Sequence, residues 1–171
     1  SINQFFYSKL SFDPAKDFVT VSTFWENTNV LVIPATHPAK DFKEWLAWAR
    51  SQIEGITYSS SGVGTTPHLS GAAFAQKVGI KAVHVPFKGG TAPMMELLAG
   101  RVDVMIDTMT TTAPLFKDKR VRVLATTVPA GQQALPGVPA VADSFAGVVF
   151  DSWLGVAATK GTPPAVVERL N

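Results

Sequence analysis

The sequence predicts an α/β fold built on a doubly wound, mostly parallel sheet. Two observations carry that expectation. Short β-branched runs alternate with amphipathic helical segments from residue 30 to residue 126, and glycines and prolines fall where helices should stop and start. Alternation with short connections lays strands side by side in one direction and puts helices on both faces.

The elements follow in order. Val30 to Ile33 is short, apolar and β-branched, and Pro34 stops it, so it reads as a buried strand. Asp41 is placed to cap a helix and Glu44 to complete a capping box. Phe42, Trp45, Leu46 and Ala49 then fall at helical spacing. Ile56 to Tyr58 is a strand running into three serines. Thr66 is expected to cap the next helix, with Pro67 in its first turn and Gly79 at its end. Ala82 to Val85 is a strand, followed by a helix capped by Thr91 and ended by Gly100. Val102 to Ile106 is a strand, a short helix runs through Phe116, and Val121 to Thr126 is the last strand of the alternation. The Pro- and Gly-rich stretch from Val128 to Ser144 is expected as an extended connection outside the core. Trp153 to Ala158 reads as one more strand, and Pro163 opens a final helix. The first eighteen residues carry aromatics with no clear period. Residues 30–126 therefore hold the whole of the alternation.

Composition narrows the function. With 171 residues, 46% of them hydrophobic and 16% charged, the chain can bury a core. No apolar run approaches the ~18 residues of a spanning helix. The chain lacks cysteine, which excludes disulfides, thiolate catalysis and Cys-ligated zinc. His37, His68 and His84 have no acidic residue spaced to help them, so neither a metal nor a cofactor is expected. A net charge of +2 favours small anions and is too weak to argue for nucleic acid. No leader pattern opens the chain and no initiating Met begins it, so it reads as a mature product or a fragment.

Chemistry collects in three loops. In open α/β sheets ligands bind beyond the carboxyl ends of the strands. SSSGVGTT, FKGGT and DTMTTT all leave such ends and should share one rim. Gly62 and Gly64 let backbone approach a ligand. Ser59, Ser60, Ser61, Thr65 and Thr66 add hydroxyls, and a helix N-terminus follows, which suits a carboxylate. Val63 lies between the glycines. A tight turn whose hydroxyls only cap the helix remains the alternative. His68, in the first helical turn, is kept as a candidate contact, with bonding to neighbouring backbone the plainer reading. Lys88 and Gly89 repeat the pattern, the lysine being either a carboxylate partner or a solvated surface charge. Asp107 ends a buried strand and either accepts from a ligand or caps the following helix. Thr108, Thr110, Thr111 and Thr112 offer further donors.

Enzyme motifs are absent. GVGTTP lacks the third glycine of a dinucleotide fingerprint, and neither GxxxxGK[ST] nor GxSxG occurs. Ser61, His68 and Asp107 supply the residue types of a hydrolase triad without its elbow, so a serine hydrolase is a secondary alternative and no catalytic residue is assigned.

The combination YSSSGVGTTPHL, HVPFKGG, GRVDVMID, ALPGVPAVADS and SWLGVAATKGTPPAVVERLN resembles, in order and spacing, the substrate-binding receptors of tripartite tricarboxylate transporters, also called Bug or TctC-type periplasmic solute-binding proteins. YSKLSFDPAKDFVTVS resembles that family's middle section. The resemblance implies a type II periplasmic-binding-protein-like lobe, with residues 28–128 as a nearly complete second lobe of the family fold and 1–27 and 129–171 as crossover and incomplete segments of the first lobe. It also implies a periplasmic location, a small organic carboxylate as ligand and a membrane permease as partner. The ligands it implies are di- and tricarboxylates, acidic amino acids and aromatic acids. Loops like residues 60–66 meet a carboxylate in that family, helped by those matching Lys88, Gly89 and Asp107. Phe87 stands where the family commonly has tyrosine, and the usual beginning, with its export signal and most of the first lobe, is missing. On this reading the chain alone should bind weakly, and Phe5, Phe6, Trp25 and Trp153 either pack locally or drive self-association. The effector lobe of a transcriptional regulator shares the fold type and is the other alternative.

Overall fold

The computed structural model describes residues 9–89 and 91–171. The chain divides into a larger compact unit, Asn27–Ser152, and a smaller one formed by its two ends.

In the larger unit the first strand, β1 (Phe18–Pro34), contributes residues 27–34. Helix α1 (Phe42–Ser51), β2 (Ile56–Ser60), α2 (Thr66–Val78), β3 (Ala82–Pro86), α3 (Ala92–Leu98), β4 (Val104–Thr108), α4 (Met109–Lys117) and β5 (Val121–Thr126) follow. The sheet order is β3-β2-β4-β1-β5. Strand β2 pairs in parallel with β3 and β4, whereas β1 is antiparallel to both β4 and β5. Four strands therefore run one way, and β1 alone is reversed among them.

Alternation along β1 divides the core into two layers. Leu31 and Ile33 face Phe42, Trp45 and Leu46 of α1 and Phe74 and Val78 of α2. Val30 and Val32 face Met94 and Leu97 of α3, with Met109 and Leu115 of α4 packed against them. The doubly wound expectation holds.

Helix ends follow local chemistry with two departures. Asp41 Oδ1 accepts from Glu44 N–H at 2.8 Å, while Glu44 Oε2 takes Lys40 N–H at 2.7 Å, one residue before the usual box partner. Gly79 ends α2 at a φ of 70°. The expected threonine caps are not made. The cap position of α2 is Thr65 rather than Thr66, and neither Thr65 nor Thr91 caps through its side chain. Thr65 Oγ1 donates instead to Gly62 O at 2.7 Å, spending its hydroxyl on the loop.

The stretch after β5 departs from the extended connection expected of it. Ala140, Val141, Ala142 and Val148 are buried, Val141–Asp143 forms a 3-10 turn, and Val141 and Val148 join the α1/α2 layer. Proline and glycine spacing disguised four buried small apolar residues, two of which close this layer. A buried polar knot ties the region down. Asn29 Nδ2 donates to Phe150 O at 2.9 Å, Ser152 Oγ donates to Asn29 Oδ1 at 2.8 Å, and Thr127 Oγ1 donates to Phe150 O at 2.7 Å.

In the smaller unit, β6 (Asp151–Thr159) pairs with β1, Lys160 N–H donates to Asp17 O at 2.8 Å, and α5 (Pro164–Leu170) follows. Strand β1 begins at Phe18, twelve residues before the apolar run that marks it in the sequence. Trp25 is half-buried and Trp153 is exposed, while Phe5 and Phe6 lie outside the described residues.

Candidate ligand-binding site

Because β2, β3 and β4 are parallel, their carboxyl ends lie on one edge of the sheet, with Ser60 opposite Pro86 and Ser59 opposite Met105. The loops leaving those ends are bonded to each other. Phe87 N–H donates to Ser60 O and Gly89 N–H to Ser61 O, each at 2.9 Å. Ser61, Thr91, Asp107 and Thr111 line one cavity of about 320 Å³, continued between α3 and α4 by Met94, Met95, Leu98, Met105 and Leu115 to Arg120. The three loops expected to share a rim thus meet there.

Within the first loop the donors are sorted. Gly62 and Gly64 adopt φ values of 134° and 82°, which side chains rarely tolerate. Gly62 N–H donates to Ser60 Oγ at 3.1 Å, and Gly64 N–H donates to His68 Nδ1 at 3.0 Å. These two amides are therefore turned inward. Among the described residues, the amides of Val63 and Thr66 take no partner within the protein, and Val63 is 61% exposed. Thr66 opens α2, whose N-terminus carries a partial positive charge, so the open amides sit where an anion is favoured.

Ser60 is fully buried, Ser61 is half-buried and Lys88 is exposed. Asp107 accepts twice, from Thr108 N–H at 2.8 Å and from Thr111 Oγ1 at 2.7 Å. The cap position of α4 is Thr108, so Asp107 stands one residue before it and does not cap. Burial holds its carboxyl above the ordinary aspartate range, against the opposing pull of the Thr111 and Thr108 hydrogen bonds.

His68 lies on His84, ring centroids 4.0 Å apart and planes 21° apart, and Tyr58 stacks on His84 at 5.0 Å. His84 Nε2 is 2.6 Å from Ser60 Oγ. Burial, reinforced by the neighbouring His68, holds the His84 imidazole below its usual range. Sequence reasoning passed over His84, although its place on a strand two residues from Pro86 put it at the rim. The triad grouping finds no support: His68 Nδ1 accepts from Gly64, so it carries no proton to give Asp107, whose two oxygens are already engaged. Among the described residues, no cluster of three or more His, Cys, Asp or Glu that could hold a metal occurs.

Comparison with known proteins agrees with this architecture. A UPF0065 protein from the tcbD-tcbE intergenic region of Pseudomonas sp. (strain P51) is 37% identical over 99% of this chain and 51% of its own length. The chain spans about half the length of the curated relatives it matches. The structure of Rhodopseudomonas palustris Rpa4515 with adipate superposes with a TM-score of 0.86 at 30% identity, over 96% of this chain and 55% of that one. MatC (Rpa3494) from the same organism, with bound malate, superposes with a TM-score of 0.81 at 25% identity, over 96% and 56%. The family model described as tripartite tricarboxylate transporter family receptor matches residues 1–171 in full, and the chain belongs to that family, the TctC or Bug-type solute-binding proteins.

Proposed function

We propose that this chain supplies a ligand-binding lobe of a periplasmic receptor that captures a small organic carboxylate for a membrane permease. The observation that carries the reading is the sorted loop at the rim. Two open amides, Val63 and Thr66, remain at the N-terminus of α2 beside loops bearing Lys88, Gly89 and Asp107. One carboxylate group accepts from both amides and from the Ser61 or Thr66 hydroxyl, with Lys88 supplying charge from solvent. Asp107, an acceptor at the carboxyl end of the adjacent strand β4, favours a donor on the ligand, a hydroxyl or an ammonium, over a second ionised carboxylate. The adipate and malate in the neighbouring structures support the ligand class. The role is capture without catalysis.

Calorimetry with malate, adipate, citrate, an acidic amino acid and an aromatic acid tests the reading. At least one acid should bind, and Gly64→Val, which forces a side chain onto a φ of 82°, should abolish that binding. Binding by none of the panel, or undiminished binding by the Gly64 variant, refutes it.

A further inference from the structure

The glycine loop is held from beneath by two stacked imidazoles, each gripping a different glycine. His68 Nδ1 accepts Gly64 N–H directly at 3.0 Å. His84 reaches Gly62 through Ser60: Nε2 lies 2.6 Å from Ser60 Oγ, and that oxygen accepts Gly62 N–H at 3.1 Å. The rings are 4.0 Å apart, so the two grips form one unit. His84 is carried by β3, His68 by α2 and Ser60 by β2, so the loop is referenced to three elements at once.

We propose that His68 and His84 are positioning residues of the carboxylate site: they withdraw the Gly62 and Gly64 amides and so leave the Val63 and Thr66 amides facing the ligand. The proposal rests on the reading of this loop as a carboxylate site. Its physical basis is conformational. A loop with two glycines samples many backbone states, and ordering it on binding weakens affinity unless the free protein has already ordered it. The Gly64 bond requires a lone pair on His68 Nδ1, so the neutral ring must carry its proton on Nε2. The hold on Gly62 differs in kind, because Ser60 Oγ can also donate to Gly62 O at 3.1 Å, closing the turn on itself.

Two His68 variants separate the hydrogen bond from the stack. His68→Phe keeps a flat ring against His84 and removes the acceptor. His68→Asn restores an acceptor oxygen near the place of Nδ1 and removes the ring. Affinity for adipate and malate is measured by calorimetry, and exchange of the Gly64 amide by NMR on the same proteins without ligand. His68→Phe should weaken binding by about tenfold, the effect of losing one such ordering contact, and should deprotect the Gly64 amide. His68→Asn should recover most of both. Phe binding like wild type, or Asn failing to recover affinity while the Gly64 amide is protected, overturns the proposal. If neither acid binds the wild-type chain, the carboxylate reading falls separately. The Gly64 amide still decides the clamp, because exchange indifferent to His68→Phe overturns it.

Discussion

Asp107 is the residue at which stability and the proposed binding role are opposed. Its carboxyl sits at the end of a buried strand, and burial raises its pKa above that of the unfolded chain. A raised acid pKa costs folding free energy above the folded pKa, and the cost disappears as pH falls below the unfolded value of about 3.9. Asp107→Asn keeps an oxygen for Thr108 N–H and an amide to meet Thr111, without the charge. We expect it to raise Tm at pH 7 by about 2–4 °C, the shift that one kcal/mol makes in a chain of this size. The gain should shrink toward pH 4 in calorimetric scans, while affinity for a hydroxy acid falls. The histidines act in the other direction. Burial lowers the pKa of both His37 and His84, so the folded protein takes up their protons later than the unfolded chain does. Stability present above about pH 6.5 is therefore lost as pH falls below it. His37→Asn keeps an acceptor for Ala39 N–H, which His37 Nδ1 takes at 3.1 Å, and should flatten part of that loss between pH 7 and pH 5.

At the scale of elements, the contact that fixes the site is α2 against β2. Gly71 lies against the Tyr58 ring, where a Cβ would come within 2.4 Å of Tyr58 Cε2. Tyr58 in turn stacks on His84, so Gly71→Ala pushes on the ring stack beneath the glycine loop. Overpacking of this kind typically costs about 1–3 kcal/mol. Urea unfolding should show that loss as a lower midpoint with an unchanged slope, together with weaker carboxylate binding. Elements of this sort were largely legible in the sequence. The Asp41 cap, the run 30–33 and the Gly79 stop each rest on neighbours within four residues, which a sequence displays. The rim was legible too, because parallel alternation alone puts three loops on one edge. The stack of His68 on His84 was not, since it depends on how α2 packs over β3. Nor was the direction of β1, because nothing in VLVI distinguishes a strand that runs with its neighbours from one that opposes them. Residues 18–29 were not expected as strand, because no apolar run marks them and the burial of Asn29 rests on a polar knot with residues more than 120 positions away.

The whole molecule is uneven in what it buries. The larger unit holds both core layers, including the fully buried Trp45, Ile33 and Leu97. In the smaller unit only Val21 is a buried hydrophobic residue among those described, while Phe24, Trp153, Leu154 and Leu170 are exposed. Local opening follows buried apolar contact. Native-state hydrogen exchange should therefore show amides of residues 18–26 and 153–170 exchanging well before those of 30–33, 104–106 and 123–125. Uniform protection across both sets would contradict this account.

The reversed strand has a consequence for how the protein is made. Its partners, β4 and β5, are synthesised later, and Val30 finally sits opposite Asp107 on one side and Thr126 on the other. A ribosome adding about 5–20 residues per second needs roughly 5–20 s to go from Pro34 to Thr126. For most of that interval Val-Leu-Val-Ile lacks one or both of the strands that flank it in the finished sheet. The first strand of the lobe to emerge thus waits longest for its second neighbour, and nascent chains stalled before residue 121 should be the species that chaperones hold.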